Sequence, residues 1–329
     1  MYYFGSMDTA ADAAKPRKII IDTDPGIDDA MAIFYALSSP KLDVLALTTV
    51  FGNTHTATST INALRLLDIA GRPEIPVAHG AADNLTSTYR GPADFVHGGD
   101  GQGNTYLPES ARKAVGVSAP ELIVQMVNAH PGEITLVPLG PLTNIALAMQ
   151  LDPQLPTKLD QIVMMGGNAF CAGNATAGAE ANIYNDPEAA DIVLGAACRL
   201  VMVGLDVTHK VVMYPHHLMQ ISEIKAPPAQ HLAKIIPFYS VFQSTVSGVE
   251  ELVIHDSTTI TYLLAPELFT WVELPVRVDC GHSVCRGSTL ISDRWTKHDS
   301  NFHGRPNVRI LTDVDAEAAV NLELAHLRY

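Results

Sequence analysis

The sequence predicts an α/β fold, a single domain with a mostly parallel, doubly wound central sheet flanked by helices. Three observations carry that expectation. Apolar, β-branched runs recur up to about residue 207, each followed by a short polar or glycine-rich turn and then an amphipathic stretch. These runs are continuously hydrophobic rather than alternating, as in strands buried on both faces. No internal repeat, low-complexity tract or linker divides the chain, so one domain accommodates all the strand–loop–helix units.

The elements follow in order. Lys18 to Asp22 reads as the first strand, Pro25-Gly26 breaks it, and Ile27, Ala30, Met31, Phe34 and Leu37 fall at helical spacing. Val44 to Val50 is the second strand, ending at Phe51-Gly52-Asn53. A helix with Ala57, Ile61, Leu64 and Ile69 on its apolar side follows, closed by Gly71-Arg72-Pro73, and Ile75 to Val77 is a short strand. Residues 80–108 are glycine-rich, and a loop of this length inside a compact domain reads as a mobile cover over a site. His97 within it could face a substrate, although a lone loop histidine is more often solvated. Alternation resumes with a helix over Ala119 to Ala129, a strand over Ile134 to Leu139, and Gly140 to Asn144 turning into a helix through Met149. Ile162 to Met165 is a strand ending at Gly166-Gly167. A polar loop runs from Gly173 to Asn182, Asp186-Pro187-Glu188 caps a helix through Ala197, and Leu200 to Val207 is the next strand. Beyond it lie a helix from about Ala229 to Thr245, the polar run His255 to Thr259, strands over Trp271 to Val278 and Ser288 to Trp295, and a closing strand and helix over Val308 to Leu327.

Composition narrows the function classes. At 329 residues, 47% hydrophobic and 17% charged, the chain has the make-up of a compact enzyme. A net charge of −14 with histidines neutral opposes binding to nucleic acid or to anionic membranes. No apolar run approaches the roughly 18 residues needed to span a bilayer. Residues 1–17 read as a disordered tail without the marks of a secretion signal or transit peptide. Cys171, Cys198, Cys280 and Cys285 are too few and scattered for a disulfide framework or zinc site, and reduced thiols suit the cytoplasm.

The chemistry concentrates at the first strand-to-helix junction. Asp22, Asp24, Asp28 and Asp29 crowd the carboxyl end of a strand, where open α/β sheets bind their ligands. A helix N-terminus offsets only about half an elementary charge of this cluster. A hard, oxygen-seeking cation such as Ca²⁺ or Mg²⁺ would offset the rest. One or two of these acids alone would read as a polar loop with an aspartate cap; four favour a metal site.

The run Asp22-Thr23-Asp24-Pro25-Gly26-Ile27-Asp28-Asp29 resembles the signature of the nucleoside hydrolases, the nucleoside N-ribohydrolases that prefer inosine and uridine. Supporting motifs occur in the family's order: Phe51-Gly52-Asn53, Leu139 to Asn144, Met165-Gly166-Gly167, Gly173-Asn174, Glu180-Ala181-Asn182 and His255-Asp256. The resemblance spans residues 18–329 as one domain and is nearest to the plant-type enzymes. Between Met165 and Asn174 the chain is a residue longer than the protozoan relatives. The resemblance implies Ca²⁺-dependent hydrolysis of the N-glycosidic bond of ribonucleosides to free base and ribose. It implies that Asp24, Asp29 and Asp256 ligate Ca²⁺, with the backbone carbonyl of Leu139 adding a neutral oxygen. Asp24 would take the proton from a water activated by the cation, which attacks C1′ through an oxocarbenium-like transition state. Asp28, Asn53 and Asn182 would hold the water and ribose hydroxyls, Asn174 and Glu180 the 5′-hydroxyl, and Met165 and Asp256 would also contact substrate.

Departure of the base needs a proton or a hydrogen bond, and by the same resemblance His255 supplies it. The bland reading of His255 is that it only orients Asp256. Tyr239, Phe242, Trp271 and Trp295 are candidate stacking partners for the base, although any one of them is more often core. A haloacid-dehalogenase-like phosphatase also opens with a strand and Asp-x-Asp, but wants a hydroxyl side chain where Gly26 stands. A non-enzymatic calcium-binding module of the EF-hand type would need an oxygen ligand at Gly26 and a glutamate at Ile33. No Lys or Arg lies in the motifs to cradle phosphate, so hydrolysis is expected over phosphorolysis. Family members are dimers or tetramers, and a homodimer is the expectation.

Overall fold

The computed structural model describes residues 15–328. The tail expected over 1–17 lies outside the described residues up to position 14, and Arg17 already belongs to the first strand. The strands are β1 (Arg17–Thr23), β2 (Leu42–Thr49), β3 (Val77–His79), β4 (Ile134–Pro138), β5 (Gln161–Met165), β6 (Leu200–Val203), β7 (Val212–Met213), β8 (Leu252–Val253), β9 (Phe269–Val278), β10 (Thr289–Ile291) and β11 (Asn307–Val314). Nine of them form one sheet in the order β10-β9-β11-β6-β5-β4-β1-β2-β3, and β7 pairs with β8 in a separate antiparallel ribbon. From β3 across to β11 every pairing is parallel; β9 alone runs against its neighbours. The expected mostly parallel sheet is therefore present.

Its topology places the site. The chain builds outward from β1 to β2 and β3, returns to the other side of β1, and then builds β4, β5 and β6 in the opposite direction. The connections diverge at the carboxyl ends of β1 and β4, and that divergence opens a crevice between them. Both faces of the sheet are covered: Ile19 and Ile21 of β1 join the apolar cluster on one side, and Ile20 joins the cluster on the other. This period-2 division of a continuous isoleucine run is what burial on both faces requires.

Several boundaries differ from the sequence reading. The strand expected over Leu200 to Val207 ends at Val203, because Gly204 turns the chain into a single helical turn, Leu205–Thr208. Of the strand expected over Ser288 to Trp295 only Thr289–Ile291 forms, since β10 has a ladder partner only at Val276 to Val278. Residues 80–108 do cover the crevice, and they are tied down on both flanks. The Ala93 amide donates to the Asn53 carbonyl at 3.1 Å, the Tyr89 hydroxyl to the Gly52 carbonyl, and the Asn84 side-chain amide to the Asn185 carbonyl at 3.2 Å. A short helix, Asp94–His97, interrupts the segment. No helix among the described residues is long and apolar enough to cross a membrane.

Candidate active site and metal centre

The floor of the crevice forms where β1 ends. The chain turns through Asp24, Pro25 and Gly26 into the helix Ile27–Ser38, so Asp28 and Asp29 occupy that helix's first turn. Asp29 reaches back to accept the Gly26 amide at 3.0 Å, and also accepts from the Thr23 hydroxyl and from the Asn53 side-chain amide at 2.9 Å. From the distant end of the chain, His255 leads into the helix Asp256–Leu264, whose first residue is Asp256. Two helix N-termini thus converge on one point, each with a partial positive charge. Carboxylate oxygens of Asp28, Asp29 and Asp256 come within 4.8 Å of one another there, all three residues buried.

Asp24 stands beside this trio rather than in it. Its Oδ2 accepts the Asn53 amide at 2.5 Å. Glycines at 52 and 140 crowd it so closely that a Cβ at either position would collide with its carboxylate. Asp22 turns away from the trio to accept from Thr48 Oγ1 at 2.5 Å and Asn144 Nδ2 at 2.8 Å, and burial pushes it up to about 7. It braces the turn from below.

The electrostatics of the cluster are those of charge without compensation. Burial is the largest cause raising Asp24, Asp28, Asp29 and Asp256 above the usual carboxylate range. The neighbouring carboxylates raise Asp24, Asp29 and Asp256 further. Asp24 Oδ1 and Asp28 Oδ1 are buried and accept no hydrogen bond. Unpartnered acid oxygens in a dry, all-oxygen setting fit a hard divalent cation.

Above this floor opens a cleft of about 640 Å³, ample for a nucleoside-sized molecule. Asp28, Asn53, Leu139, Met165, Asn174, Glu180, Asn182, His255 and Asp256 all line it; Asp24 and Asp29 lie beneath. On one wall Asn182 Nδ2 donates to the Leu139 carbonyl at 2.7 Å and to the Met165 carbonyl at 3.3 Å. That leaves the Leu139 oxygen a second lone pair. Glu180 caps the helix Ala181–Asn185, its carboxylate accepting the amides of Asn182, Ile183 and Gly167 at 2.9, 3.1 and 3.0 Å. Asn174 sits at the exposed rim and accepts the Ala181 amide at 3.0 Å.

The opposite wall is aromatic. Burial, with His209 and His97 adding to it, lowers His255 to about 3, so its ring is neutral in this state. Its Nδ1 is engaged by the Thr208 hydroxyl at 2.9 Å, leaving Nε2 as the free ring nitrogen. Tyr239 donates to Asp28 Oδ2 at 3.4 Å. The His97 ring lies against Tyr239, centroids 5.3 Å apart, and Phe95 meets Phe242 edge-on at 5.6 Å. His97 is therefore not the solvated loop residue of the common case: it is 4% exposed, and its Nδ1 accepts the Ile27 amide at 3.2 Å. Trp271 and Trp295 are neither base-stacking nor core. Both are exposed, outside the cleft, under Arg309 and Arg294 respectively. Thr208, His209 and Gln243 also belong to the wall region but were not singled out from sequence. A usable signal existed: Thr208-His209 follows the carboxyl end of β6, and Gln243 lies one helical turn beyond Tyr239.

Comparison with known proteins agrees with this geometry. Residues 19–321 match the family model described as inosine-uridine preferring nucleoside hydrolase. The chain is 44% identical over 314 residues to a probable uridine nucleosidase 2 of Arabidopsis thaliana, covering 94% of this chain and 97% of that one. It is 38% identical over 285 residues to the inosine-uridine preferring nucleoside hydrolase of Leishmania major, covering 86% and 90%. Among solved structures, the plant nucleoside hydrolase PpNRh1 superposes with a TM-score of 0.91 at 42% identity, over 95% of this chain and 99% of that chain.

Proposed function

On the premise that the chain belongs to the inosine-uridine preferring nucleoside hydrolase family and is a nucleoside N-ribohydrolase, we propose that the cleft between β1 and β4 hydrolyses ribonucleosides in a Ca²⁺-dependent reaction, uridine among them. The observation that carries this reading is the buried trio Asp28, Asp29 and Asp256 at the topological switch point, with unpaired acid oxygens beneath a nucleoside-sized cleft. Family membership sets aside the phosphatase and the non-enzymatic calcium-binding module.

Asp24, Asp29, Asp256 and the Leu139 carbonyl are the proposed ligands, and Asp28 stands close enough to share in the site. When bound, the cation supplies charge compensation for the acids and Lewis-acid activation of water. The rest of the chemistry belongs to the chain. Asp24 has one unpartnered oxygen to accept the proton of the attacking water, and the Asn53 amide holds its other oxygen in place. Asp28, Asn53 and Asn182 ring the floor at the height of ribose hydroxyls, and Asn174, Met165 and Glu180 close the sugar's far end. Such fixation converts binding into orientation of C1′ toward the water. On the aromatic wall the neutral His255, its Nδ1 held by Thr208, offers Nε2 toward the departing base.

The test is release of free base and ribose from uridine, inosine, xanthosine, adenosine and cytidine in phosphate-free buffer, before and after EDTA treatment. Turnover that stops with EDTA and returns with Ca²⁺ is the expected result. Undiminished turnover by metal-stripped protein would overturn the cation assignment, and absence of base release from every nucleoside would overturn the substrate class.

A further inference from the structure

Below the acid trio, along the helices that carry it, lies a second buried polar group. Tyr35 is two turns beyond Asp28 on the same face of the helix Ile27–Ser38, and Ser257 directly follows Asp256. Facing both is Glu323, from the C-terminal helix Ala316–His326. Glu323 is 1% exposed, and Tyr35 and Ser257 are fully buried. Glu323 Oε1, Tyr35 Oη and Ser257 Oγ each lack a hydrogen-bond partner of ordinary geometry. They are nonetheless close enough to act on one another: the Ser257 hydroxyl eases the rise of the Glu323 carboxyl, and that carboxyl raises the Tyr35 phenol. No Lys or Arg among the described residues forms an ion pair with Glu323. Burial pushes its carboxyl up to about 7, so near neutrality it both donates and accepts.

The surroundings do not call for an acid. Ala319, Val320 and Leu324 on the same helix are buried in the apolar cluster, and a leucine at 323 would match them in character. A buried, incompletely paired polar group costs stability and is kept where it specifies an arrangement. Here the arrangement is the separation of two helices whose N-termini hold Asp28, Asp29 and Asp256.

We propose that Glu323 is a positioning residue whose carboxyl bridges Ser257 and Tyr35, fixes the spacing of the two acid-bearing helices, and thereby sets the divalent-cation affinity of the site. The inference rests on the cation assignment made above. Its test is calorimetric titration of Ca²⁺ into the EDTA-stripped full chain, for wild type, Glu323→Leu, Glu323→Gln and Tyr35→Phe, with folding checked by circular dichroism. Glu323→Leu is expected to weaken Ca²⁺ binding by about 10–100-fold, as for lost outer partners of metal ligands. Its kcat should recover to within about threefold of wild type once Ca²⁺ is saturating. Glu323→Gln, which keeps the shape and a donor, should stay within about threefold of wild-type affinity, and Tyr35→Phe should shift in the same direction as leucine. A folded Glu323→Leu protein with unchanged affinity overturns the proposal, as does a glutamine variant impaired as much as the leucine one. Should Glu323→Leu not fold, Tyr35→Phe decides, since it removes one hydroxyl only; unchanged affinity there overturns the proposal. A wild-type chain that takes up no Ca²⁺ overturns it too, and locates the failure in the metal assignment rather than in the helix spacing.

Discussion

Glu323→Gln should make the protein more stable, and only on the alkaline side. The carboxyl of Glu323 has its folded-state pKa raised from 4.5 to about 7 by burial. Between those values the folded chain holds a proton that the unfolded chain releases. Stability linked to this group is therefore fully present below pH 4.5 and is lost as pH rises through about 7. The full difference is worth roughly 3 kcal/mol, at about 1.36 kcal/mol per pKa unit. With an unfolding entropy of about 2.1 cal/mol/K per residue, a chain this size would change its Tm by roughly 5 °C. Glutamine cannot ionise and escapes that loss. Thermal unfolding of both proteins in EDTA, at about pH 4.5 and about pH 8.5, reads the effect as a difference of differences. Asp22, raised to about 7, and His97, lowered to about 4, titrate in both proteins and cancel. The expected outcome is coincident Tm values in acid and a lead of roughly 5 °C for the glutamine variant in base. A pH-independent offset, or a wild type that is the more stable in base, would refute the reasoning.

Two further outcomes follow from the cleft. His255→Ala should slow natural nucleosides by roughly 10²–10⁴-fold, the range for a lost proton donor, while sparing p-nitrophenyl riboside, whose leaving group needs none. Equal losses on both substrates would return His255 to the role of orienting Asp256. If Asp28, Asn53 and Asn182 grip the ribose hydroxyls, 2′-deoxyuridine should have a kcat/KM at least about 10²-fold below that of uridine, and comparable values would show that the sugar is held otherwise.

What the sequence made legible was local. The isoleucine run of β1 and the acids after it are contiguous, so strand, turn and charge cluster could be read together. The pairing of β1 with β4 is not local, yet it follows from short connections and the handedness of parallel crossovers. Asp256 was different: no spacing rule links it to Asp29, and only the family resemblance singled it out before the fold brought them together. His97 was undervalued because a glycine-rich loop gives no burial signal, whereas in the fold the Ile27 amide and the Tyr239 ring hold it in the wall. Trp271 and Trp295 were overvalued because aromaticity alone does not say on which edge of the sheet a strand lies. Leu200 to Val207 was read as one strand because its hydrophobicity runs on past Gly204, where the backbone turns.

The trio's division between the two ends of the chain has a consequence for how the protein is made. Asp24, Asp28 and Asp29 leave the ribosome early, and β1 to β6 can assemble around them before residue 256 exists. A nascent chain at that stage has three acids converging on one helix N-terminus, with neither the second helix end nor the third member of the trio. Translation must continue through the Asp256 helix, and through the C-terminal helix packed beneath it, before those charges have their full setting. Cation capture thus comes late in biosynthesis, and a message truncated ahead of residue 256 would yield a sheet with a charged, unfinished centre.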